Sequence, residues 1–311
     1  MGFGARITGW GSAVPDKVVT NAEFESRMAT SDEWITERTG IKERRWGGTT
    51  SSLSIEAGIA AIKRAGLSAA DIDLLILSTT TPDQAVPATS AVVSHKIGTR
   101  GGAFDLNAAC AGYVYAMVAG RAMIGAGVNK KVLVLGADTL SRITDMDDRG
   151  TAILFADGAG GVVLEATEDQ DDFLGWDLGV DGSAQPILYA DHGSYLRMEG
   201  REVYKKAVRV MVESAEIAMK RAGVTSDDIA LCVPHQANIR IIEAACNRLS
   251  IPMERASVVL DRFGNTSSGS IPLALVDAEE KNRLKPGDLV LFSGFGAGMT
   301  WASAVVRWSG N

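Results

Sequence analysis

Residues 61–81 read AIKRAGLSAADIDLLILSTTT, and residues 218–238 read AMKRAGVTSDDIALCVPHQAN. The two stretches match at an offset of 157 residues (61 to 218). KVLVLGAD from Lys131 matches DLVLFSGF from Asp288 at the same offset (131 to 288). Two matches at one spacing are the signature of a duplicated unit. The chain therefore reads as two halves, residues 1–168 and 169–311.

Each half runs helix, short acidic turn, apolar strand, loop, helix, strand. SLSIEAGIAAIKRAG (52–66) has apolar residues at helical spacing and ends on Gly66, a C-cap residue. DLLILSTT (73–80) is a continuous apolar run, as in a strand buried on both faces. GYVYAMVAGRAMIGAG (112–127) predicts a helix and KVLVLGA (131–137) a strand. This alternation predicts an α/β fold with mostly parallel sheets. The helix at 112–127 is apolar nearly all round, which places it between two sheets. Two such halves predict a five-layer αβαβα arrangement with buried central helices.

In open α/β sheets, ligands bind beyond the carboxyl ends of the strands. Under the repeat, His235 at a strand end matches Ser78, and Cys110 matches Ser267. Asn265 lies two residues before Ser267. A pseudo-twofold relation between the halves would bring Cys110, His235 and Asn265 together. Cys110 sits in NAACAGYVYA (107–116), where small neighbours clear space around the thiol. At a helix start the dipole would favour a thiolate, lowering its pKa from about 8.5 to about 7. Cys232 and Cys246 read as inert buried thiols, and His95 and His192 as surface histidines. The glycine-rich GFGAGMTW (294–301) follows a strand, and a backbone N–H at Gly298 there would suit an oxyanion.

Composition narrows the classes. Of 311 residues, 46% are hydrophobic and 22% charged, ordinary for a globular protein. No apolar run reaches the roughly 18 residues that span a bilayer, and no signal peptide is visible. Three cysteines make no disulfide framework, so a reducing, cytoplasmic setting is expected. The net charge of −7 argues against general nucleic-acid binding. Cysteines and histidines are too scattered for a zinc site, and no nucleotide-binding glycine motif follows a strand.

Six ordered motifs then carry a resemblance nearly end to end. They are TSDEWITERTGIKERR (30–45), NAACAGYVYA, DDRGTAILFADGAG (147–160), VPHQANIRII (233–242), LDRFGNTSSGSIPLAL (260–275) and GAGMTW (296–301). Together they resemble the beta-ketoacyl-acyl carrier protein synthase III family, condensing enzymes of the thiolase fold. The resemblance implies a decarboxylative Claisen condensation of a short acyl-coenzyme A with malonyl-acyl carrier protein, at the start of fatty acid synthesis. Coenzyme A thioester would be a substrate, with no resident cofactor or metal. Cys110 would carry the acyl group. His235 and Asn265 would stabilise the malonyl enolate, and the N–H groups of Cys110 and Gly298 would hold the oxyanion. Trp34 and Arg149 would sandwich the adenine of coenzyme A, while Arg38, Asn238 and Arg240 line its phosphate and pantetheine path. Arg149 lies in TLSRITDMDDRGTAI (139–153), an insertion with no counterpart in the second half.

A homodimer is also implied, with Val86 closing the partner's acyl pocket. The acidic carrier protein would need a local basic patch, for which Lys205, Lys206, Arg240 and Arg248 are the candidates. Arg240 and Arg248 are eight residues apart, about 80° round a helix. Four features depart from the family pattern and leave the acyl length open. These are Val86, the short stretch between Gly182 and Met198, Ala297 within the glycine turn, and Ala302 after Trp301. The alternatives are a starter-unit ketosynthase or acyltransferase of secondary metabolism, a Cys-His-Asn hydrolase, and a silent subunit. The intact His-Asn pair argues for condensation, the nucleotide positions against a hydrolase, and the filled catalytic positions against a silent subunit.

Overall fold

A computed structural model describes residues 2–310. The first half contains β1 (Gly4–Ala13), α1 (Asp32–Thr39), α2 (Thr50–Arg64), β2 (Leu74–Ser78), α3 (Thr89–Ile97), β3 (Gly102–Leu106), α4 (Gly112–Gly125), β4 (Lys131–Thr139) and β5 (Asp157–Thr167). The second contains β6 (Phe173–Val180), α5 (Gly200–Ala222), β7 (Ile229–Pro234), α6 (Ile239–Arg248), α7 (Ser270–Glu280), β8 (Leu289–Gly296) and β9 (Thr300–Arg307).

The duplication is visible in the caps. Gly66 and Gly223 both end their helices in the left-handed region, at φ of 69° and 70°. Asp71 then accepts hydrogen bonds from Ser68, as Asp228 does from Thr225, in matching single turns before β2 and β7. A Cβ on Gly9 would collide with the carbonyl of Ala61, and one on Gly175 with that of Ala218. In both halves, glycine thus lets the first strand touch the outer helix.

The first sheet has the order β1-β5-β4-β2-β3 and the second β7-β8-β9-β6. Both are mixed, which corrects the expectation of mostly parallel strands. β2 pairs parallel with β3 and β4, and β7 with β8, but β4–β5, β5–β1, β8–β9 and β9–β6 are antiparallel. For β8 and β9 the reason is connection length. Between β8 and β9 lie only Ala297–Met299, too few residues for a parallel crossover. The chain passes between sheets in the segment from Thr167 to Phe173.

Helices α4 and α7 lie between the sheets and contact both, while α2 and α3 cover one outer face and α5 and α6 the other. Five layers result. The central core mixes the halves: Tyr113 and Met117 of α4 and Ile271 and Leu275 of α7 pack with Ile76, Val134, Val233 and Phe292 from the two sheets. Burying each large apolar side chain contributes about 1.5–3 kcal/mol. No helix among the described residues is long and apolar enough to cross a membrane.

The ladders also revise the repeat. Leu74 pairs with Val132, and its counterpart Leu231 pairs with Val290, so the offset has become 158 by the third strand. Asn107 Oδ1 accepts from Ala109 N–H (3.1 Å), and Asn265 Oδ1 from Ser267 N–H (2.9 Å). Ala109 and Ser267 share φ values of 48° and 49°. The counterpart of Cys110 is therefore Ser268, not Ser267. One extra residue lies between strand end and helix start in the second half.

Candidate active site

Cys110 lies in a single turn, Ala109–Ala111, that leads directly into α4. The turn packs on the end of β8, with Gly296 against its backbone. His235 follows β7, and its N–H donates to Ser293 O (2.8 Å), which aligns it beside β8. Asn265 follows Gly264, whose φ of 64° turns the chain sharply. Its backbone is held by Leu154 and Ala156 of the first half. These three residues line one cavity of about 1200 Å³, together with Gly298.

The side chains are fixed from behind. Asn265 Oδ1 is taken by Ser267 N–H, which leaves Nδ2 as a donor. His235 Nδ1 lies 2.7 Å from the Ser270 hydroxyl, which also accepts from Gln236 N–H at 3.3 Å. The imidazole meets the Phe295 ring edge-on at 5.3 Å. Burial lowers the His235 pKa to about 3, so the ring is neutral at physiological pH. When Ser270 donates to Nδ1, the proton of the neutral ring sits on Nε2, ready for an acceptor oxygen.

The thiol departs from the sequence reading. Burial pushes the Cys110 pKa up to about 12, opposed by a hydrogen bond with Ser267, and the buried Asp138 carboxylate raises it further. The resting group is a neutral thiol rather than a dipole-stabilised thiolate, because desolvation outweighs the helix terminus here. Cys232 and Cys246 are buried and free, and they meet each other away from this cavity.

Trp34, Arg38, Arg149, Asn238, Arg240 and Lys205 line the same cavity. Helix α1 carries Trp34 and Arg38, begun by Ser31, whose hydroxyl accepts from Trp34 N–H (3.1 Å). The Arg149 guanidinium lies over the Trp34 ring at 4.6 Å and that of Arg38 at 4.9 Å. Arg149 also donates to Ala29 O (2.6 Å). The two residues expected to sandwich an adenine thus touch each other directly. Asn238 caps α6 by accepting from Arg240 N–H and donates to Arg38 O, both at 2.9 Å. Its amide joins the two helices at the cavity mouth.

The remaining candidates, Lys206, Arg248 and Val86, do not line the cavity. Lys205 pairs with Glu202 (2.8 Å) and Lys206 with Asp181 (3.3 Å). Arg248 ends α6, about 12 Å along the helix from Arg240, and does not line the cavity. Val86 is 84% exposed, on the loop before α3. His95 and His192 are on the surface, apart from the site. Tyr204, beneath Arg240 at 5.9 Å, and Ser270 were missed by the sequence reading. Ser270 stood in the quoted GNTSSGS motif, but its partner lies 35 residues back. Among the described residues no cluster of His, Cys, Asp or Glu is gathered as for a metal ion.

The chain is similar to known proteins over nearly its whole length. The profile of 3-oxoacyl-[acyl-carrier-protein] synthase III matches residues 104–182, and that of its C-terminal region residues 219–308. Beta-ketoacyl-[acyl-carrier-protein] synthase III of Roseiflexus castenholzii is 48% identical, over 98% of each chain. The crystal structure of 3-oxoacyl-[acyl-carrier-protein] synthase III from Aquifex aeolicus superposes with a TM-score of 0.96 at 42% identity, covering 98% of this chain and 100% of that one. The priming beta-ketosynthase of the R1128 polyketide pathway gives 0.94 at 32% identity, covering 99% and 97%. The chain belongs to the beta-ketoacyl-acyl carrier protein synthase III family, acyltransferases that condense acyl-coenzyme A with malonyl-acyl carrier protein. Its fold is the thiolase-like α/β fold.

Proposed function

We propose that this chain performs the family's condensation through Cys110, His235 and Asn265. The carrying observation is that a thiol at a helix start, a neutral imidazole and a free amide donor line one cavity whose mouth is built from an indole and arginines. Cys110 Sγ attacks the thioester carbonyl of acyl-coenzyme A. The oxyanion is held by Cys110 N–H and a backbone N–H of the Gly296–Gly298 turn, where Gly298 is the candidate. The coenzyme A sulfur leaves with the thiol proton, and the acyl group remains on Cys110. Malonyl-acyl carrier protein then places its thioester carbonyl against His235 Nε2–H and Asn265 Nδ2–H. Loss of carbon dioxide leaves an enolate stabilised by these two donors. Its carbon attacks the acyl carbonyl, the bond from that carbon to Cys110 Sγ breaks as 3-oxoacyl-acyl carrier protein forms, and the departing thiolate takes a proton from water.

Trp34, Arg38, Arg149, Asn238 and Arg240 form the coenzyme A mouth. For an adenine to enter between Trp34 and Arg149, the guanidinium must lift from the indole. Arg240, Lys205, Lys206 and Arg248 form the carrier-protein side. Residues 1–168 and 169–311 act as one catalytic unit, since each supplies part of the site. The working form is a cytoplasmic homodimer, and the reaction needs no resident cofactor. The edge strand β3 supports a dimer: its free edge can pair with a second copy, and Phe104 on it is 36% exposed. Exposed Val86 is then free to reach a partner's pocket. A starter unit of secondary metabolism is a second reading, favoured by the likeness to a priming ketosynthase. Product analysis with malonyl-acyl carrier protein and acyl-coenzymes A of several lengths tests both. Condensed product from short primers is expected. Turnover of long or branched primers alone favours the second reading, and hydrolysis without condensation contradicts both.

A further inference from the structure

Arg44 is fully buried, yet no carboxylate lies within ion-pair distance of it among the described residues. It stands on the strand Glu43–Arg45, paired with Val18–Thr20. Its guanidinium lies over Phe24 at 4.7 Å. It donates to Val19 O (3.1 Å), Asn21 Oδ1 (2.8 Å) and Ile153 O (2.8 Å). Burial lowers its pKa to about 10, so it remains a cation at neutral pH. The carboxylates of Glu23, Glu43 and Asp32 act on it only at longer range, so the cost of burying it is met in the main by these hydrogen bonds.

Its partners lead to both sides of the cavity mouth. Asn21, itself buried, turns its Nδ2 to Asp32 Oδ1 (2.7 Å) and Ile41 O (2.8 Å). Asp32 opens α1, the helix that carries Trp34 and Arg38. Ile153 ends the short helix Arg149–Ala152. The guanidinium therefore bridges the element bearing Trp34 and the one bearing Arg149, far apart in sequence. One terminal nitrogen, Nη2, makes both bonds while Nη1 holds Val19 O, a spread of donors that the single nitrogen of a lysine does not match.

We propose that Arg44 is a positioning residue that sets the spacing between Trp34 and Arg149, and so the affinity of the mouth for the nucleotide end of a coenzyme A thioester. This rests on the reading of the mouth given above. Arg44 touches neither substrate nor reacting atoms. Its loss should weaken a substrate that has the nucleotide and spare one that lacks it.

The test is acylation of Cys110 by acetyl-coenzyme A and by acetyl-N-acetylcysteamine, which ends before the nucleotide. Acylation is the step to follow because Asn265, whose backbone the neighbouring Leu154 holds, serves the later step. The wild type should react much faster with acetyl-coenzyme A. Arg44→Met should raise KM for acetyl-coenzyme A by about tenfold with kcat little changed, and leave the truncated thioester within about twofold. Arg44→Lys should rescue only in part. Asn21→Leu, which breaks the relay but keeps the cation, should show the same split and serves if Arg44→Met does not fold. Equal losses on both thioesters, or loss on neither, overturn the proposal. A wild type that does not distinguish the two thioesters instead overturns the nucleotide reading of the mouth, and this proposal with it.

Discussion

The turns at Cys110 and Ser268 are the same structure made twice, but of these two residues only Cys110 lines the cavity. Each begins with an asparagine that accepts from the residue two positions on, passes through a left-handed residue, and opens a central helix. They differ in what meets the backbone N–H. Ser268 N–H donates to Asp138 Oδ2 at 3.0 Å. The other Asp138 oxygen accepts from the backbone or hydroxyl groups of Thr79, Thr80 and Thr81. The Ser268 hydroxyl is shared with Ser78 Oγ and Ala109 O, both at 3.0 Å. By the 158-residue offset, the counterpart of Asp138 is Gly296. A Cβ there would stand 2.5 Å from Cys110 N. One turn is thus filled by the protein's own carboxylate, and in the other a glycine stands at the equivalent place, which the proposed function gives to the oxygen of a substrate. The same turn geometry occurs twice, and the proposed function requires that one copy be emptied.

Refilling the emptied copy should have the largest effect. Gly296→Asp puts a carboxylate where an oxyanion would form, and acylation rates should fall at least about 10³-fold. Gly296→Ala crowds the same N–H and should lower the rate by about 10²-fold. Rapid-quench labelling measures both, and near-normal rates would break the comparison. Emptying the filled copy should act on stability instead. Asp138→Ala leaves the Ser268 N–H and three threonine hydroxyls without their acceptor, at a cost of about 3 kcal/mol read by denaturant unfolding. A stable variant with unchanged midpoint would show the carboxylate to be dispensable.

His235 gives a pH-dependent signal, smaller per pH unit than the loss at Asp138. Its folded pKa of about 3 lies below the ordinary 6.5. Between these values the unfolded chain binds a proton that the folded one does not, so its contribution to stability falls as pH falls from 6.5 toward 3. His235→Asn should flatten the acid limb by about 1.4 kcal/mol per pH unit within that window. An identical slope in the variant would mean the ring is protonated in the fold. The smallest effect concerns Ser270, whose counterpart in the first half is Gly112. Ser270→Ala should slow malonyl decarboxylation several-fold, about 1 kcal/mol, with acylation unchanged. Ser270→Thr should restore it, whereas equal loss in both steps would make Ser270 merely structural.

Much of this was legible in the chain. The repeat, the buried central helices and the Cys110, His235 and Asn265 set all follow from sequence motifs, because caps and apolar runs are local. The one-residue shift was not. KVLVLGAD and DLVLFSGF are runs of apolar residues that match nearly as well one position out, and only ladder partners fix their register. The state of the thiol was also hidden, since a helix start can be read from sequence but the desolvation around Cys110 cannot. Arg44 lies in the quoted motif at 30–45, yet its role depends on Ile153, 109 residues on. Asp138 gave no signal because its acceptor work joins β2, β4 and α7 only in three dimensions.

The most direct test is intact-protein mass spectrometry with peptide mapping after incubation with acetyl-coenzyme A, on the wild type, Cys110→Ser and Gly296→Asp. One acetyl group on Cys110 of the wild type, and none on either variant, is the expected result. Acetylation of Ser268, Cys232 or Cys246, or undiminished labelling of Gly296→Asp, would contradict the account.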